Sequence, residues 1–176
     1  MKNAIILQGW YQKTNANWYP WLKDQLRSKG YEVHLPDLPT IHTDRPDLQI
    51  QLDYLFDNLE VNRDTILIGH SLGSLLALRV AEKVELDKIF LVAGWDFNDL
   101  TEEHQLFWEK PVNHSKIIEN VGEIYCYSSD NDPYITAFHA EEMCKRLKGT
   151  FVLVEGAGHF TTKDGVTKID RLVQYL

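Results

Sequence analysis

Gly69-His70-Ser71-Leu72-Gly73 is a G-x-S-x-G pentapeptide that lies directly after the apolar run Thr65-Ile66-Leu67-Ile68 and directly before a stretch of helical periodicity. A serine hydroxyl is a poor nucleophile at its own pKa, so it must be presented on an accessible turn to a base and to a substrate carbonyl. A tight strand-to-helix turn needs glycine at its flanks, and the amino end of the following helix favours developing negative charge. In this context Ser71 is a candidate nucleophile for acyl transfer. The competing explanation, a chance match on a glycine-rich turn, is disfavoured by the partners found downstream.

The base should be a histidine on a loop after the last strand. His159 meets that requirement, because Gly156-Ala157-Gly158-His159-Phe160 follows the apolar run Phe151-Val152-Leu153-Val154 with glycines such a loop would need. Among the other six histidines, His34 lies in a strand pattern, His42 in a polar loop, His139 on a helix, and His104 and His114 in an irregular segment. Surface or packing roles fit those five. His70 adjoins the nucleophile on a sharp turn, where neighbouring side chains point apart, and is expected to be structural.

The third group should be a carboxylate that orients the imidazole and stabilises its protonated form. Ser128-Ser129-Asp130-Asn131-Asp132-Pro133 offers two. Asp132 is preferred, because Pro133 fixes the chain just after it and would open the next helix. Asp130 stays as the alternative, with turn formation or capping as its other role.

Two backbone N–H groups must face the carbonyl oxygen as it gains charge. Leu72, after the nucleophile, supplies one candidate; Trp10, on the loop after the first strand, supplies the other, with Gly9 keeping that backbone approachable. Gly9, Trp10, Trp95 and Trp108 are the candidate pocket residues, although Trp95, Phe107 and Trp108 could instead close the edge of the core. No group of histidines, cysteines or carboxylates has zinc or calcium ligand spacing, so no metal is expected.

These residues need a scaffold. Six short apolar or β-branched runs, near Ala4–Leu7, Glu32–Leu35, Thr65–Ile68, Lys88–Val92, Glu123–Tyr127 and Thr150–Val154, alternate with helical patterns. That alternation predicts repeated βαβ units and a mostly parallel sheet with helices on both faces. Trp18, Trp21, Leu22 and Leu26 recur at helical spacing before a stop at Gly30; the tryptophans there are expected in the core. Further helices are predicted from about Ser71 to Lys83 and from about Tyr134 to Leu147. The segment from Trp95 to Val121 is the least regular and is expected to form part of a lid or pocket wall.

The chain has 176 residues, 44% hydrophobic and 25% charged, and no internal repeat or linker, which fits one domain over residues 1–176. A formal net charge of -8 argues against a nucleic-acid-binding surface, which would need clustered Lys and Arg. Cys126 and Cys144 are expected as interior thiols, in keeping with a reducing cytoplasm. The apolar run at the N-terminus is too short for a signal peptide, and no stretch reaches the roughly 18 apolar residues of a membrane span. A cytoplasmic protein is expected; oligomeric state is not specified.

Taken together, the chain resembles the small serine hydrolases of the α/β-hydrolase superfamily, in the YdeN and retinoblastoma-binding-protein-nine-like branch. The marks that carry the likeness span nearly the whole chain: the strand ending in Gly9, Asn17 to Leu22, Val33 to Pro39, Gly69 to Gly73, Phe107 to Pro111, Ser129 to Tyr134, and Gly156 to His159. The order Ser71, Asp132, His159 is also the α/β-hydrolase order. The resemblance implies a six-stranded parallel sheet with little or no large cap domain, a Ser-His-Asp triad on those residues, and no cofactor or metal; the substrate expected for such a site is a small ester, or a thioester or activated amide. One departure is Gln8-Gly9 where many hydrolases have His-Gly; the donor there is a backbone group, so the oxyanion site can survive. A catalytically idle protein-binding module is the competing class, but such a descendant would be expected to have lost a triad position. Dehalogenation or epoxide opening would need a carboxylate nucleophile at the turn, which Ser71 excludes.

Overall fold

A computed structural model describes residues 2–176. Six strands, β1 (Asn3–Leu7), β2 (Glu32–His34), β3 (Thr65–His70), β4 (Leu86–Val92), β5 (Val121–Ser129) and β6 (Thr150–Val154), form one sheet in the order β2-β1-β3-β4-β5-β6. Every pairing is parallel. Consequently all six strands end on the same side, and the loops that leave their carboxyl ends cluster there, where open α/β sheets place their ligands.

Side chains alternate across the sheet as a period of two demands. Ile5, Leu7, Leu67, Ile89, Leu91 and Cys126 enter one core. Ala4, Ile6, Ile66, Ile68, Phe90 and Val92 enter the other. Helices α2 (Leu48–Asn58), α3 (Leu72–Ala81), α4 (His114–Asn120) and α5 (Ala137–Arg146) cover the first core. Helices α1 (Tyr19–Ser28) and α6 (Asp170–Val173) cover the second. All ten residues of α3 are buried, so the helix that follows Ser71 is held on every side. Both thiols are also buried. Among the described residues no helix is long and apolar enough to cross a membrane.

Three elements differ from the expectations drawn from sequence. Helix α2 was not anticipated, although Asp47 caps it by accepting a hydrogen bond from Ile50 N–H at 3.0 Å, a signal of the standard kind. The irregular segment contains a 3-10 turn (Glu102–Phe107) and α4. Helix α5 begins at Ala137, not at Tyr134: Asp132 accepts from Tyr134 N–H and Ile135 N–H, which completes a turn after Pro133, and Thr136 then caps the helix. Pro133 therefore belongs to the turn and does not open the helix.

Candidate active site

Ser71 joins β3 to α3 with φ 53° and ψ -120°, a region that non-glycine residues rarely occupy. The surroundings hold it there. Ser71 N–H donates to the Val92 carbonyl at 2.8 Å, and the Ser74 hydroxyl donates to the carbonyls of Gly69 and Val92. A Cβ on Gly69 would stand 2.5 Å from Ser74 Cα, and one on Gly73 would stand 2.7 Å from the Gln8 carbonyl oxygen. Glycine at both flanks is thus a requirement of close backbone approach.

The turn aims the Ser71 hydroxyl at His159, with Oγ 2.9 Å from Nε2. On the other side of the ring, Nδ1 lies 2.9 Å from Asp132 Oδ2, and the Asp132 side chain is enclosed from solvent. A carboxylate only accepts, so Nδ1 carries the hydrogen and Nε2 offers its lone pair to Ser71. Asp130 is placed differently: its Oδ1 accepts from Gly156 N–H at 2.7 Å and braces the loop that carries His159. Ser129 Oγ and Asn131 Oδ1 do the same for Ala157 and Gly158. Asp164 accepts from His159 N–H at 3.1 Å. The loop after β5 therefore holds the loop after β6 by three backbone amides, and a carboxylate five residues downstream holds a fourth.

His70 is fully buried and bonded at both nitrogens. Nε2–H donates to the His159 carbonyl at 2.8 Å, and Nδ1 accepts from the Tyr19 hydroxyl at 2.6 Å. Tyr19 in turn accepts from Gly9 N–H at 3.3 Å. Burial, with the nearby His159, pushes the His70 pKa down to about 3, so its ring stays neutral. One chain of hydrogen bonds thus ties the loop after β1, the turn at Ser71 and the loop of His159.

The loop after β1 lies against the serine, since a Cβ on Gly9 would stand 3.2 Å from Ser71 Cβ. Trp10 Nε1 donates to the Thr43 carbonyl at 2.8 Å, and Tyr11 N–H to the Ile41 carbonyl, which anchor the loop from outside. Among the described residues neither Trp10 N–H nor Leu72 N–H has a hydrogen-bond partner.

A cleft of about 560 Å³ opens over Ser71, within the range of small-molecule sites. Gly9, Trp10, Trp95, Phe97, His104 and Tyr134 are among its walls. Trp108 is not: it is 9% exposed, packs in the core, and faces the Arg79 guanidinium 5.7 Å from its ring. The expectation of a pocket role for Trp108 is corrected for a physical reason. Arg79, 4% exposed, donates to the carbonyls of Phe107, Lys110 and Pro111, and this draws the end of the segment inward, away from the cleft.

Sequence reasoning missed Tyr19, Asn131 and Asp164. A signal existed for Asp164 alone, in the Thr161-x-x-Asp164 capping pattern. Tyr19 and Asn131 depend on contacts between distant parts of the chain.

A parallel six-stranded sheet with a serine on the turn after its third strand defines the α/β-hydrolase fold. The ydeN gene product of Bacillus subtilis shares it, with a TM-score of 0.86 at 24% identity over 99% of this chain and 96% of that one. Est1E of Butyrivibrio proteoclasticus, solved with ferulic acid bound, has a TM-score of 0.73 at 12% identity over 99% and 90% of the two chains. In sequence, the chain is 26% identical to YdeN of Bacillus subtilis (strain 168) over 179 residues, 96% of this chain and 90% of that protein. It is 28% identical to Serine hydrolase RBBP9 of Rattus norvegicus over 146 residues, 81% of this chain and 77% of that protein. Residues 4–176 match the serine hydrolase family, and the chain belongs to it.

Proposed function

We propose that the protein hydrolyses a small carboxylic ester through Ser71, His159 and Asp132. The observation that carries the reading is the unbroken chain from Ser71 Oγ to His159 Nε2 at 2.9 Å and from Nδ1 to Asp132 at 2.9 Å, beside two backbone N–H groups with no partner. Ser71 Oγ attacks the ester carbonyl carbon while its proton passes to His159 Nε2. Trp10 N–H and Leu72 N–H receive the oxyanion, each such donor being worth about 3 kcal/mol of barrier. Collapse breaks the ester C–O bond, and His159 returns the proton to the leaving alkoxide. Water, deprotonated by the same nitrogen, then releases the acid and restores the serine.

Neutral His70 cannot compete for this proton, since its Nδ1 already accepts from Tyr19 and its Nε2–H is given to a carbonyl. A thioester or activated amide would use the same steps. A binding module that had abandoned catalysis would be under no pressure to keep a strained Ser71 backbone aimed at an oriented imidazole.

The test is labelling by a fluorophosphonate probe together with turnover of short p-nitrophenyl esters. Wild type is expected to label and turn over; Ser71→Ala and His159→Ala should lose at least about 1,000-fold in kcat/KM. Asp132→Asn should fall by a comparable factor, while Asp130→Asn, which keeps an acceptor for Gly156 N–H, stays within about 10-fold. An unlabelled wild type would refute the proposal, and an inactive Asp130→Asn beside an active Asp132→Asn would reassign the carboxylate.

A further inference from the structure

We infer that the acyl end of the cleft reads a hydroxyl group on the substrate, with Trp95 Nε1–H donating to its oxygen and His104 Nε2 accepting its hydrogen. The inference rests on the ester-hydrolase reading of Ser71 and deepens it.

Proton transfer decides which end is which. His159 must hand its proton to the leaving alcohol, so the alcohol lies on the His159 side. A second hollow of about 350 Å³ opens there, lined by His159, Asn17, Thr161 and Lys163 among others. The acyl group then points the opposite way, between Trp10, Trp95, Phe97 and His104.

That end is apolar in outline, but it holds two buried polar atoms without partners, Trp95 Nε1 and His104 Nε2. The two rings are neighbours, with centroids 5.7 Å apart, and Trp10 meets the His104 ring edge-on at 5.1 Å. The tautomer of His104 follows from its other nitrogen: Nδ1 lies 2.8 Å from Asp99 Oδ2, which can only accept, so Nδ1 carries the hydrogen and Nε2 a lone pair. The wall therefore holds one donor and one acceptor on neighbouring rings, both closed off in the empty cleft. Buried groups of this kind are normally paired, and nothing among the described residues pairs these.

The complement must both accept and donate. A hydroxyl does so with a single atom. An ammonium has no lone pair for the indole N–H; a carboxylate has no hydrogen for Nε2 and would lie near the Asp99 charge; an alkyl chain leaves both atoms unpaired. Engagement therefore takes a displacement of the wall in which Asp99 and His104, five residues apart on one segment, move together, so that the bond fixing the tautomer is kept and both nitrogens open to the cleft. Sites built to bond a substrate hydroxyl discriminate strongly against the analogue that lacks it, because their own groups are then stranded.

The experiment compares kcat/KM for p-nitrophenyl 3-hydroxybutanoate with the butanoate, and for p-nitrophenyl 3-(4-hydroxyphenyl)propanoate with 3-phenylpropanoate. Two reaches of hydroxyl are thereby sampled. Wild type is expected to favour at least one hydroxylated ester by about 10-fold or more. The ratio should fall to about 1 in His104→Leu and in Trp95→Phe. Because the readout is a ratio within one protein, any loss of folded enzyme cancels. A wild type that labels with fluorophosphonate and hydrolyses every ester without preference overturns the hydroxyl site alone, as does a preference that survives both substitutions. A wild type that neither labels nor hydrolyses any ester overturns the hydrolase reading, and this one with it.

Discussion

Tyr19→Phe removes one oxygen from the buried chain that joins three loops of the site, and its effect can be worked from the hydrogen bonds. The hydroxyl donates to His70 Nδ1 at 2.6 Å and accepts from Gly9 N–H at 3.3 Å. Phenylalanine has the same ring, so packing around α1 is kept and the cost is confined to two polar groups left without partners. His70 and Tyr19 are both fully buried, and water cannot substitute. A stranded buried group costs about 1–3 kcal/mol, and the longer Gly9 bond belongs at the low end, which sums to about 2–4 kcal/mol. For a chain of this size each kcal/mol lowers Tm by about 2–4 °C, so a fall of about 5–15 °C is expected. Thermal unfolding followed by circular dichroism measures it, with Tyr31→Phe as the control, because the Tyr31 hydroxyl makes no hydrogen bond among the described residues. Turnover should fall as well, since Gly9 precedes Trp10 and His70 holds the His159 carbonyl. A Tyr19→Phe protein that melts with the Tyr31→Phe control would refute the claim that this chain braces the site.

Three other outcomes follow from the same structure. The folded pKa of His70, about 3, lies below the ordinary 6.5, so between those values the unfolded chain binds a proton that the folded chain refuses. Stability is therefore lost as pH falls below 6.5, by up to about 1.4 kcal/mol per unit. Between pH 7 and pH 5 His70→Asn should lose about 2 kcal/mol less than wild type in urea unfolding; equal losses would count against the buried neutral ring. Gly69→Ala forces a Cβ to 2.5 Å from Ser74 Cα and should destabilise by at least about 3 kcal/mol, whereas Gly30→Ala, with φ +85° and open space around it, should lose only about 1 kcal/mol. Similar Tm values for the two would contradict the packing at the turn. Arg79→Met strands the buried Phe107 carbonyl and takes a partner from the part-buried carbonyls of Lys110 and Pro111, while Glu82 keeps Asn113 N–H, at about 2–4 kcal/mol in all. Limited proteolysis should then cut within residues 95–113 before the rest of the chain, and a wild-type digestion pattern would show that the segment is held by other means.

Much of the arrangement was legible in the chain because it rests on local chemistry. Strand positions follow from short β-branched runs and a period of two, and the glycines at 69 and 73 announce a turn on which backbones pass too closely for any Cβ. Ser71, Asp132 and His159 could be singled out since each lies on a loop just after a strand, and a parallel sheet brings all such loops to one side. Helix α2 escaped notice because its apolar residues are interrupted by buried Gln51, which is satisfied by the Pro39 carbonyl, a partner that spacing cannot foresee.

What only the tertiary structure decided is which of two similar residues faces the site. Asp130 and Asp132 are separated by one residue, and the turn at Pro133 sends one to the His159 ring and the other to the Gly156 amide. Trp95 and Trp108 are alike in composition and context, yet Arg79, from a helix nearly thirty residues upstream, gathers the Phe107–Pro111 carbonyls and takes Trp108 into the core. Hydrogen bonds between distant segments carry no periodicity, so the residues that orient a side chain from across the fold are visible only once the sheet has brought them together.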